Sequence, residues 1–430
     1  TPKLLVLGLQ HMFAMFGATV LVPALTGLSV SATLLFAGLG TLFFHFLTKG
    51  KVPAFLGSSF AYLAGYAAIA PNGEAALLPY ACVGVAASGL LYLILAALVR
   101  GFGANRVMRF FPPVVTGPII ICIGMTLANS AINNCTGSWD IALVAILTVV
   151  IFNIWGKGML RIIPILLGVL VSYVYAAVTG RVDFSGVASA AWIGLPVKME
   201  NTVFSLIGNC DANLLVTAII AIMPIAFATM IEHIGDICAI SSTVGANFIA
   251  DPGLHRTLLG DGLATSIASL FGAPANTTYG ENTGVLALTR VYDPLVIRLA
   301  AVYAIIASFC PKFAALVSAM PTGTIGGVSL ILYGMISAIG VRNLVENRVD
   351  LAKSRNVIVV SLIISLALGI TFSAAGAITF HVGEFTLNFS GLAVAAIVGI
   401  VVNAILPGKD YDFQNDYEYG KTTEDHGQML

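Results

Sequence analysis

Long apolar stretches separated by short polar turns run along almost the whole chain. An α-helix needs about 20 apolar residues to cross the hydrocarbon core of a bilayer. On this criterion the pattern predicts fourteen spans, seven on each side of residue 200. They are residues 4–22, 32–47, 52–69, 80–99, 114–128, 141–155, 162–178, 214–240, 258–271, 276–288, 295–310, 325–339, 357–372 and 391–406. The pattern therefore predicts an all-α polytopic membrane protein, with a polar stretch at 179–211 between its halves.

Composition places most of the chain in lipid. Hydrophobic residues make up 58% of the 430 residues and charged residues only 9%, whereas soluble domains carry about 25% charged residues. The net charge is zero, which argues against a nucleic-acid partner. The six cysteines are scattered without the spacing of a metal site, so no metal and no cofactor is expected. A disulfide between Cys135 and Cys210 is conceivable.

Basic residues predict the orientation of the chain in the membrane. With a cytoplasmic N-terminus, seventeen of the twenty Lys and Arg residues lie on the cytoplasmic side, and only Arg181, Lys198 and Lys312 lie outside. The positive-inside rule requires such an asymmetry, and one span more or fewer in the middle would destroy it. Both termini are therefore predicted to be cytoplasmic, and the short loops favour a prokaryotic inner membrane.

The two halves resemble each other weakly. The sequence PAFLGSSFA begins at Pro53 and PANTTYGEN begins at Pro274, and the pair Gln10-His11 recurs as Glu232-His233. With an odd number of spans per half, the second copy enters the membrane from the opposite face. Inverted repeats with Gly- or Pro-interrupted segments are typical of secondary transporters that bind substrate near the membrane midplane.

The segment 274–290 is polar although apolar stretches flank it. A polar segment at membrane depth must be surrounded by protein or by a water-filled cavity. Thr278 and Tyr279 favour an extended piece, and a helix can begin at Gly280, with Ser58, Ser59 and Phe60 in the equivalent place. Two helix N-termini facing one cavity would supply backbone donors to carbonyl oxygens of a ligand. The alternative is a kinked packing helix that Glu281 caps.

Acidic residues inside the spans are the main candidates for function. Glu232 and Asp236 lie four residues apart within an apolar span and share one helix face. A carboxylate at the bilayer centre costs at least about 2.5 kcal/mol, and such residues usually carry ions, protons or substrate. The alternative is a wet helix end. Asp261 lies close to a predicted span end, so an interfacial position is equally open.

Three histidines accompany these acids. His233 faces about 100° away from Glu232 and is expected to pack rather than to bind a ligand. His11, which follows Gln10, is expected to support the site. His45 lies among phenylalanines and is expected at the boundary between lipid tails and headgroups.

The absence of deep basic residues in the sequence restricts the substrate class. No Lys or Arg lies deep in a predicted span, so a neutral substrate rich in N–H donors, or a cation, is favoured, coupled to H⁺ or Na⁺. The chain contains no G-x-S-x-G and no H-E-x-x-H sequence, which argues against an intramembrane hydrolase and leaves no catalytic residue to assign. A channel is also disfavoured, because a channel would more naturally line one path with repeated rings of polar residues.

Several stretches together resemble the nucleobase–ascorbate transporter family, and within it the bacterial uracil permease type. They are QHMFAMFGATVLVP (10–23), KVPAFLGSSFAY (51–62), IEHIGD (231–236), DPGLHR (251–256), NTTYGENTGVLALTR (276–290) and GGVSLILYG (326–334). The combination of Glu281, Asn282, Gly284, Thr289 and Arg290 resembles the family signature. The resemblance covers nearly all of the predicted membrane region.

The resemblance implies an architecture. Spans 1–4 and 8–11 would form a core domain (residues 1–110 and 211–317), and spans 5–7 and 12–14 a gate domain (111–210 and 318–408), followed by a cytoplasmic tail at 409–430. Short strands in spans 3 and 10 would cross in the core. Members of the family work as homodimers, and their core moves against the gate like an elevator.

The resemblance also implies roles for residues. Glu281 and Glu232 would hold the N–H groups of uracil, backbone N–H groups near Phe60 and Gly280 would meet its carbonyls, and Ser59 would lie beside them. Phe60, Tyr279 and Tyr333 would contact the ring. Gln10, His11 and Asn282 would support the site.

Substrate and coupling ion remain open at this level. Uracil permeases can carry His where this chain has Asp236, and purine carriers tend to carry Gln where it has Glu281. A uracil:proton symporter is the first hypothesis, and a xanthine or uric acid carrier is the alternative. Glu232 and Asp236 are expected to share the coupling proton, and the resemblance adds Asp261 to the coupling residues.

Overall fold

The computed structural model describes residues 2–382 and 385–409, and the side chain of Glu281 lies outside its described part. The predicted cytoplasmic tail lies, apart from Lys409, outside the described residues. The first half contains α1 (Pro2–Thr26), α2 (Val30–Leu47), β1 (Leu56–Ser58), α3 (Leu63–Ile69), α4 (Leu78–Phe102), α5 (Ala104–Met108), α6 (Pro113–Cys135), α7 (Trp139–Trp155), α8 (Met159–Ile162), α9 (Pro164–Val178) and α10 (Ser185–Ser189).

The second half repeats this order of elements. It contains α11 (Ala212–Ile222), α12 (Ala226–Val244), α13 (Leu254–Leu270), β2 (Asn276–Thr278), α14 (Gly280–Thr289), α15 (Pro294–Ser308), α16 (Pro311–Ser318), α17 (Thr322–Glu346), α18 (Ser354–Thr371), β3 (Ala377–Val382), β4 (Phe385–Ser390) and α19 (Gly391–Ile405). Every segment predicted as a span contains a helix, and the two predicted to be interrupted contain a short strand followed by a helix.

Helix length and hydropathy identify the helices that can cross a membrane. Within the described ranges, seven helices are long and apolar enough to cross a membrane, or eight if the bent pair α15 and α16 counts as one span. Helices α11 and α12 form one such helix of 33 residues, and α7, α9 and α19 are apolar but shorter. The chain is a multi-pass membrane protein, and the count of fourteen crossings stays a prediction.

Capping side chains explain where several helices begin. Asp211 accepts hydrogen bonds from the backbone N–H groups of Asn213 (2.9 Å) and Leu214 (3.2 Å) at the start of α11. Ser29 caps α2 and Asp293 caps α15 in the same way. Such caps satisfy N–H groups that have no partner within the helix, and each lies in a polar turn of the sequence pattern.

The packing of helices is repeated between the two halves. α2 packs against α15, and the corresponding helices α13 and α4 pack against each other. α6 packs along α17, while α7 with α9 and α18 with α19 form two further pairs. The pairs α2–α15 and α4–α13, and the pairs α7–α9 and α18–α19, are thus equivalent, which is consistent with an inverted repeat.

Strands β3 and β4 form a hairpin that the sequence reading did not predict. They pair antiparallel with Ile378 opposite Phe389. The Thr379 hydroxyl donates to Asn388 Oδ1 at 2.8 Å, and the rings of Phe380 and Phe389 meet edge to face at 6.0 Å between centroids. Aromatic and β-branched residues favour extended structure, so the all-α assignment is corrected to a helical protein with two small sheets.

Two further expectations are wrong. His45 is not at a lipid boundary: it is 2% exposed, and its Nε2 lies 2.9 Å from Ala54 O. The neighbouring phenylalanines misled the prediction, because the ring turns inward to a backbone carbonyl of the segment before β1. Cys135 and Cys210 are both free, the first buried and the second exposed, so the conceivable disulfide is absent.

Candidate functional site

Two short antiparallel strands cross at the centre of the core helices. β1 and β2 pair with Leu56 opposite Thr278, and all residues of both strands are buried. The ladder continues beyond them, because Ser59 N donates to Ala275 O at 2.9 Å. Buried backbone groups at membrane depth need partners within the protein. The pairing supplies these partners and allows extended backbone to lie inside a helical protein.

Helix α14 begins where β2 ends, at an accessible space between Gly280 and Ile339 of α17 that we call the cleft. Its first residue, Gly280, is exposed, and a Cβ added there would have Ile339 Cδ1 as its nearest neighbour at 3.9 Å. The first N–H groups of a helix lack intrahelical partners and carry its positive end. This junction therefore offers backbone donors to a ligand in the cleft. Glu281 is the next residue, and because its side chain is not described, its substrate role stays a prediction.

The junction after β1 differs from the predicted one. α3 begins at Leu63, and Leu63 N donates to Phe60 O at 3.1 Å in a turn that precedes the helix. The predicted helix start at Ser58–Phe60 is therefore a turn, with the helix following it. Ser59 is fully buried, and its hydroxyl has no hydrogen-bond partner among the described residues.

Phe60 and Tyr333 meet across the cleft. The two rings contact edge to face, with 5.7 Å between their centroids and an interplanar angle of 73°. Phe60 is 6% exposed and Tyr333 only 1%. Tyr333 lies on α17, so the structure brings together the two aromatic residues that were predicted on opposite sides of the site.

The paired acids of α12 lie where the sequence reading expected them. Glu232 and Asp236 are both half-buried and one helical turn apart, so they occupy the same face of α12. α12 contacts both β2 and α14. The alternative of a wet helix end is therefore wrong, because the acids lie inside the bundle of core helices.

A residue that the sequence reading missed holds one of these acids. The hydroxyl of Thr278 donates to Asp236 Oδ2 at 2.7 Å. Thr278 is 2% exposed and belongs to β2. Nothing in the sequence signals this contact, since the two residues are 42 positions apart. The bond fixes the Asp236 carboxylate against the strand that leads to Gly280.

Asn282 and His11 join the start of α14 to α1. The Asn282 side-chain amide donates to His11 O at 3.1 Å and lies 3.2 Å from His11 Nδ1. Both residues are buried, and Gln10 beside them is half-buried. The supporting role of Gln10, His11 and Asn282 stays a prediction.

Tyr279 stabilises the strand crossing. Its hydroxyl donates to Ser58 O at 2.9 Å, and its ring covers Gly57, where an added Cβ would lie 2.4 Å from Cε2. Tyr279 is 4% exposed. The structure thus gives its side chain a packing role at the crossing, and its predicted contact with a substrate ring stays a prediction.

Asp261 is fully buried within the protein. It lies on α13, and its Oδ2 is 3.1 Å from His233 Nδ1, with both side chains 0% exposed. Helices α2 and α4 cover α13. Among the described residues, no group of three or more His, Cys, Asp or Glu could hold a metal ion.

Comparisons with known proteins extend over nearly the whole chain. A family model described as Permease family matches residues 2–376. A uracil permease of Bacillus caldolyticus is 43% identical over 423 residues, which cover 96% of this chain and 94% of that protein. A uracil permease of Escherichia coli K12 is 38% identical over 410 residues, covering 93% and 90%.

Solved structures of membrane transporters share the fold. The transmembrane domain of a cyanobacterium bicarbonate transporter, BicA, matches with a TM-score of 0.59 and 13% identity, covering 93% of this chain and 96% of that one. SLC26A9 matches with a TM-score of 0.63 and 12% identity, covering 93% and 64%. At these identities the matches describe the fold alone.

Proposed function

The chain belongs to the Permease family, whose model spans residues 2–376, and on that premise we propose that it imports uracil together with protons. It is a transporter and not an enzyme. The observation that carries the substrate assignment is the similarity to proteins named uracil permeases, at 43% and 38% identity over at least 90% of each chain. This finding favours uracil over the xanthine or uric acid alternative.

The chemistry of uracil suits the candidate site. The ring alternates N–H donors with carbonyl acceptors. Glu232 is half-buried beside the cleft and can accept a hydrogen bond from the ring, and we assign the same role to Glu281 on sequence grounds. The backbone N–H groups at Gly280 and the buried hydroxyl of Ser59 can donate to the ring carbonyls.

The aromatic pair gives the substrate its apolar contacts. Phe60 and Tyr333 touch each other in this structure, and we propose that uracil enters between the strand crossing and these rings. The two aromatic residues then stack on or border the base from opposite domains. Tyr279 contributes mainly by holding the crossing and the backbone of Gly280.

An elevator-like motion is our proposal for alternating access. The core would comprise residues 1–110 and 211–317, and the gate residues 111–210 and 318–408.

Proton coupling is assigned to the acids of α12. Two carboxylates one turn apart in a low dielectric are not comfortably ionised together, so Glu232 and Asp236 can share a proton. We propose that loading this proton accompanies uracil binding at Glu232. The hydrogen bond from Thr278 holds Asp236 against β2, the strand that precedes the backbone N–H groups at Gly280. Asp261 is buried against His233, and its part in coupling is argued below.

Location and assembly follow from the family. We propose that the chain is a multi-pass protein of a bacterial inner or plasma membrane, with both termini in the cytoplasm, and that it works as a homodimer in the lipid bilayer.

Ligand-induced stabilisation of the purified protein tests the substrate assignment. A ligand at 100 times its dissociation constant stabilises the native state by about 2.7 kcal/mol. We expect uracil to raise the melting temperature and xanthine to leave it unchanged at the same concentration. A rise with xanthine and none with uracil would reverse the assignment.

A further inference from the structure

The contact between His233 and Asp261 lies entirely inside the core helices. His233 Nδ1 and Asp261 Oδ2 are 3.1 Å apart, and both side chains are 0% exposed. The angles of this contact fall short of a hydrogen bond, and none of the side-chain nitrogens or oxygens of the two residues hydrogen-bonds to another described residue. Each of the two side chains is therefore the nearest polar partner that the other has among the described residues.

The packing around the pair is unusually close. Phe44 of α2 and Tyr92 of α4 both meet the His233 ring edge to face, each at 6.4 Å between centroids. The two glycines beside Asp261 permit this approach: an added Cβ would lie 2.8 Å from the Phe44 ring at Gly260 and 2.3 Å from Tyr92 Cβ at Gly262. The sequence Gly-Asp-Gly thus lets α13 bring a carboxylate to a histidine enclosed by aromatic rings.

The inverted repeat makes the pair specific to the second half. His11 and His233 occupy equivalent places, as do Gly38-Leu39-Gly40 and Gly260-Asp261-Gly262. In the first half an apolar residue, Leu39, replaces the acid, and His11 instead meets Asn282 at 3.2 Å. Leu39 is 41% exposed whereas Asp261 is 0% exposed, so the two places differ in burial as well as in residue type. Asp261 therefore has no equivalent acid in the first half, and its position next to the helix that carries Glu232 suggests a specific role.

Charge balance restricts what the pair can do. In a buried site a net charge is costly, whereas a carboxylate and an imidazole that share one proton are neutral together. The other titratable groups near the pair are Glu232 on the same helix as His233, Tyr92 on α4 and Tyr62 before α3. Neither tyrosine supplies a positive charge that could compensate a lost proton.

We propose that His233 and Asp261 are positioning residues: their buried contact fixes the rotation of α12. Glu232, one residue from His233, is thereby held towards the cleft, and Asp236 follows one turn later. The coupling proton is exchanged on Glu232 and Asp236, not on Asp261. This inference rests on the proposed function, because it concerns the coupling of that same transport.

Paired variants in proteoliposomes test the inference. Asp261→Asn alone should lower uracil uptake by more than about tenfold, because the imidazole loses its charged partner. The double variant His233→Asn with Asp261→Asn replaces the pair by two neutral amides and should recover uptake to within about threefold of the unmodified protein. Its accumulation should still follow the proton gradient, with an unchanged pH profile.

A different result identifies Asp261 as the proton carrier. The double variant would then exchange uracil across the membrane, but its accumulation would no longer respond to the proton gradient. A double variant no better than Asp261→Asn would also contradict a positioning pair. The exchanged variant His233→Asp with Asp261→His keeps both charges and should behave like the double variant.

A variant at the cleft keeps the inference testable if the buried variants do not fold. Asp236→Asn changes a half-buried side chain. It should allow uracil exchange but abolish gradient-driven accumulation, although Asp261 is intact. Accumulation that persists in Asp236→Asn would overturn the inference. An unmodified protein that takes up no uracil at all would instead overturn the proposed function.

Discussion

The Thr278 hydroxyl donates a hydrogen bond of 2.7 Å to Asp236 Oδ2, joining strand β2 to helix α12. Thr278 is also the residue that pairs with Leu56 across the strand crossing. The contact therefore joins the carboxylate to which we assign the coupling proton and the strand that precedes Gly280.

Removing the hydroxyl should weaken the connection without breaking the strand. Thr278→Val keeps the shape of the side chain but cannot donate to Asp236. Hydrogen bonds to charged groups contribute about 1.5–3 kcal/mol, so we expect gradient-driven uracil accumulation to fall roughly tenfold or more. Thr278→Ser retains the hydroxyl and serves as the control. Equal accumulation in the valine and serine variants would show that the bond has no part in coupling.

The strand crossing depends on a glycine beneath an aromatic ring. An added Cβ at Gly57 would lie 2.4 Å from the ring of Tyr279. Gly57→Ala should therefore destabilise the protein by about 1–3 kcal/mol, the usual cost of overpacking, and weaken uracil binding. Thermal unfolding in detergent measures the first effect.

A glycine of α14 supplies the matched control. Gly284 lies within the helix, and an added Cβ would meet nothing within 4 Å. Because alanine is favoured over glycine in helices by about 1 kcal/mol, Gly284→Ala should leave the melting temperature unchanged or raise it. A loss of stability in this variant equal to that of Gly57→Ala would contradict the steric explanation.

Glu281 is expected to decide between substrates. Glu281→Gln replaces the carboxylate, which only accepts hydrogen bonds, by an amide. The amide NH₂ group can then face an N–H group of uracil, so that two donors oppose each other. A site built to hydrogen-bond its substrate discriminates strongly when a partner is wrong, so uracil affinity should fall by at least about 100-fold. Glu346→Gln is the control, since Glu346 forms an exposed ion pair with Arg342 on the surface. Unchanged uracil affinity in Glu281→Gln would remove this residue from the site.

Surface ion pairs should not contribute to the pH dependence of transport. Hydrogen bonds from the Arg181 guanidinium hold the pKa of Asp140 well below its usual range, and the Lys51 ammonium lowers the pKa of Asp251. A carboxyl whose pKa is depressed on folding stays ionised above that pKa, and its contribution is lost only as the pH falls through it. Both acids therefore remain charged across the neutral range of an uptake assay.

Neutralising these two acids tests that conclusion. Asp140→Asn and Asp251→Asn should each leave the pH profile of uracil uptake in place, because exposed ion pairs contribute little. A shifted profile in either variant would mean that the loops take part in coupling, and that the acids of α12 do not account for the pH dependence alone.

The sequence predicted where the apolar helices lie because hydropathy is a local property. Each predicted span contains a helix, and the polar segment at 276–280 indeed changes from strand to helix at Gly280. The repeat that joins 53–61 with 274–282 anticipated the two segments that pair with each other. Residues whose environment depends on distant helices were harder to predict. His45 and Asp261 are both buried by packing that no local pattern encodes.

The candidate site was predicted in outline and refined by the fold. Glu232 and Asp236 stood out as acids in an apolar span, and the structure keeps them on one face of α12. Thr278 could not be found in advance, because threonines are common in extended segments and its partner is distant in sequence. The hairpin of β3 and β4 was missed for a related reason: its stability comes from cross-strand pairs such as Phe380 with Phe389.

Labelled uracil uptake into proteoliposomes tests the central claim most directly. Uptake would be measured with an inward proton gradient, with the gradient collapsed, and with excess xanthine as competitor. The account predicts accumulation that requires the gradient and is insensitive to xanthine. Uptake that ignores the gradient, or that xanthine suppresses, would contradict a uracil:proton symporter.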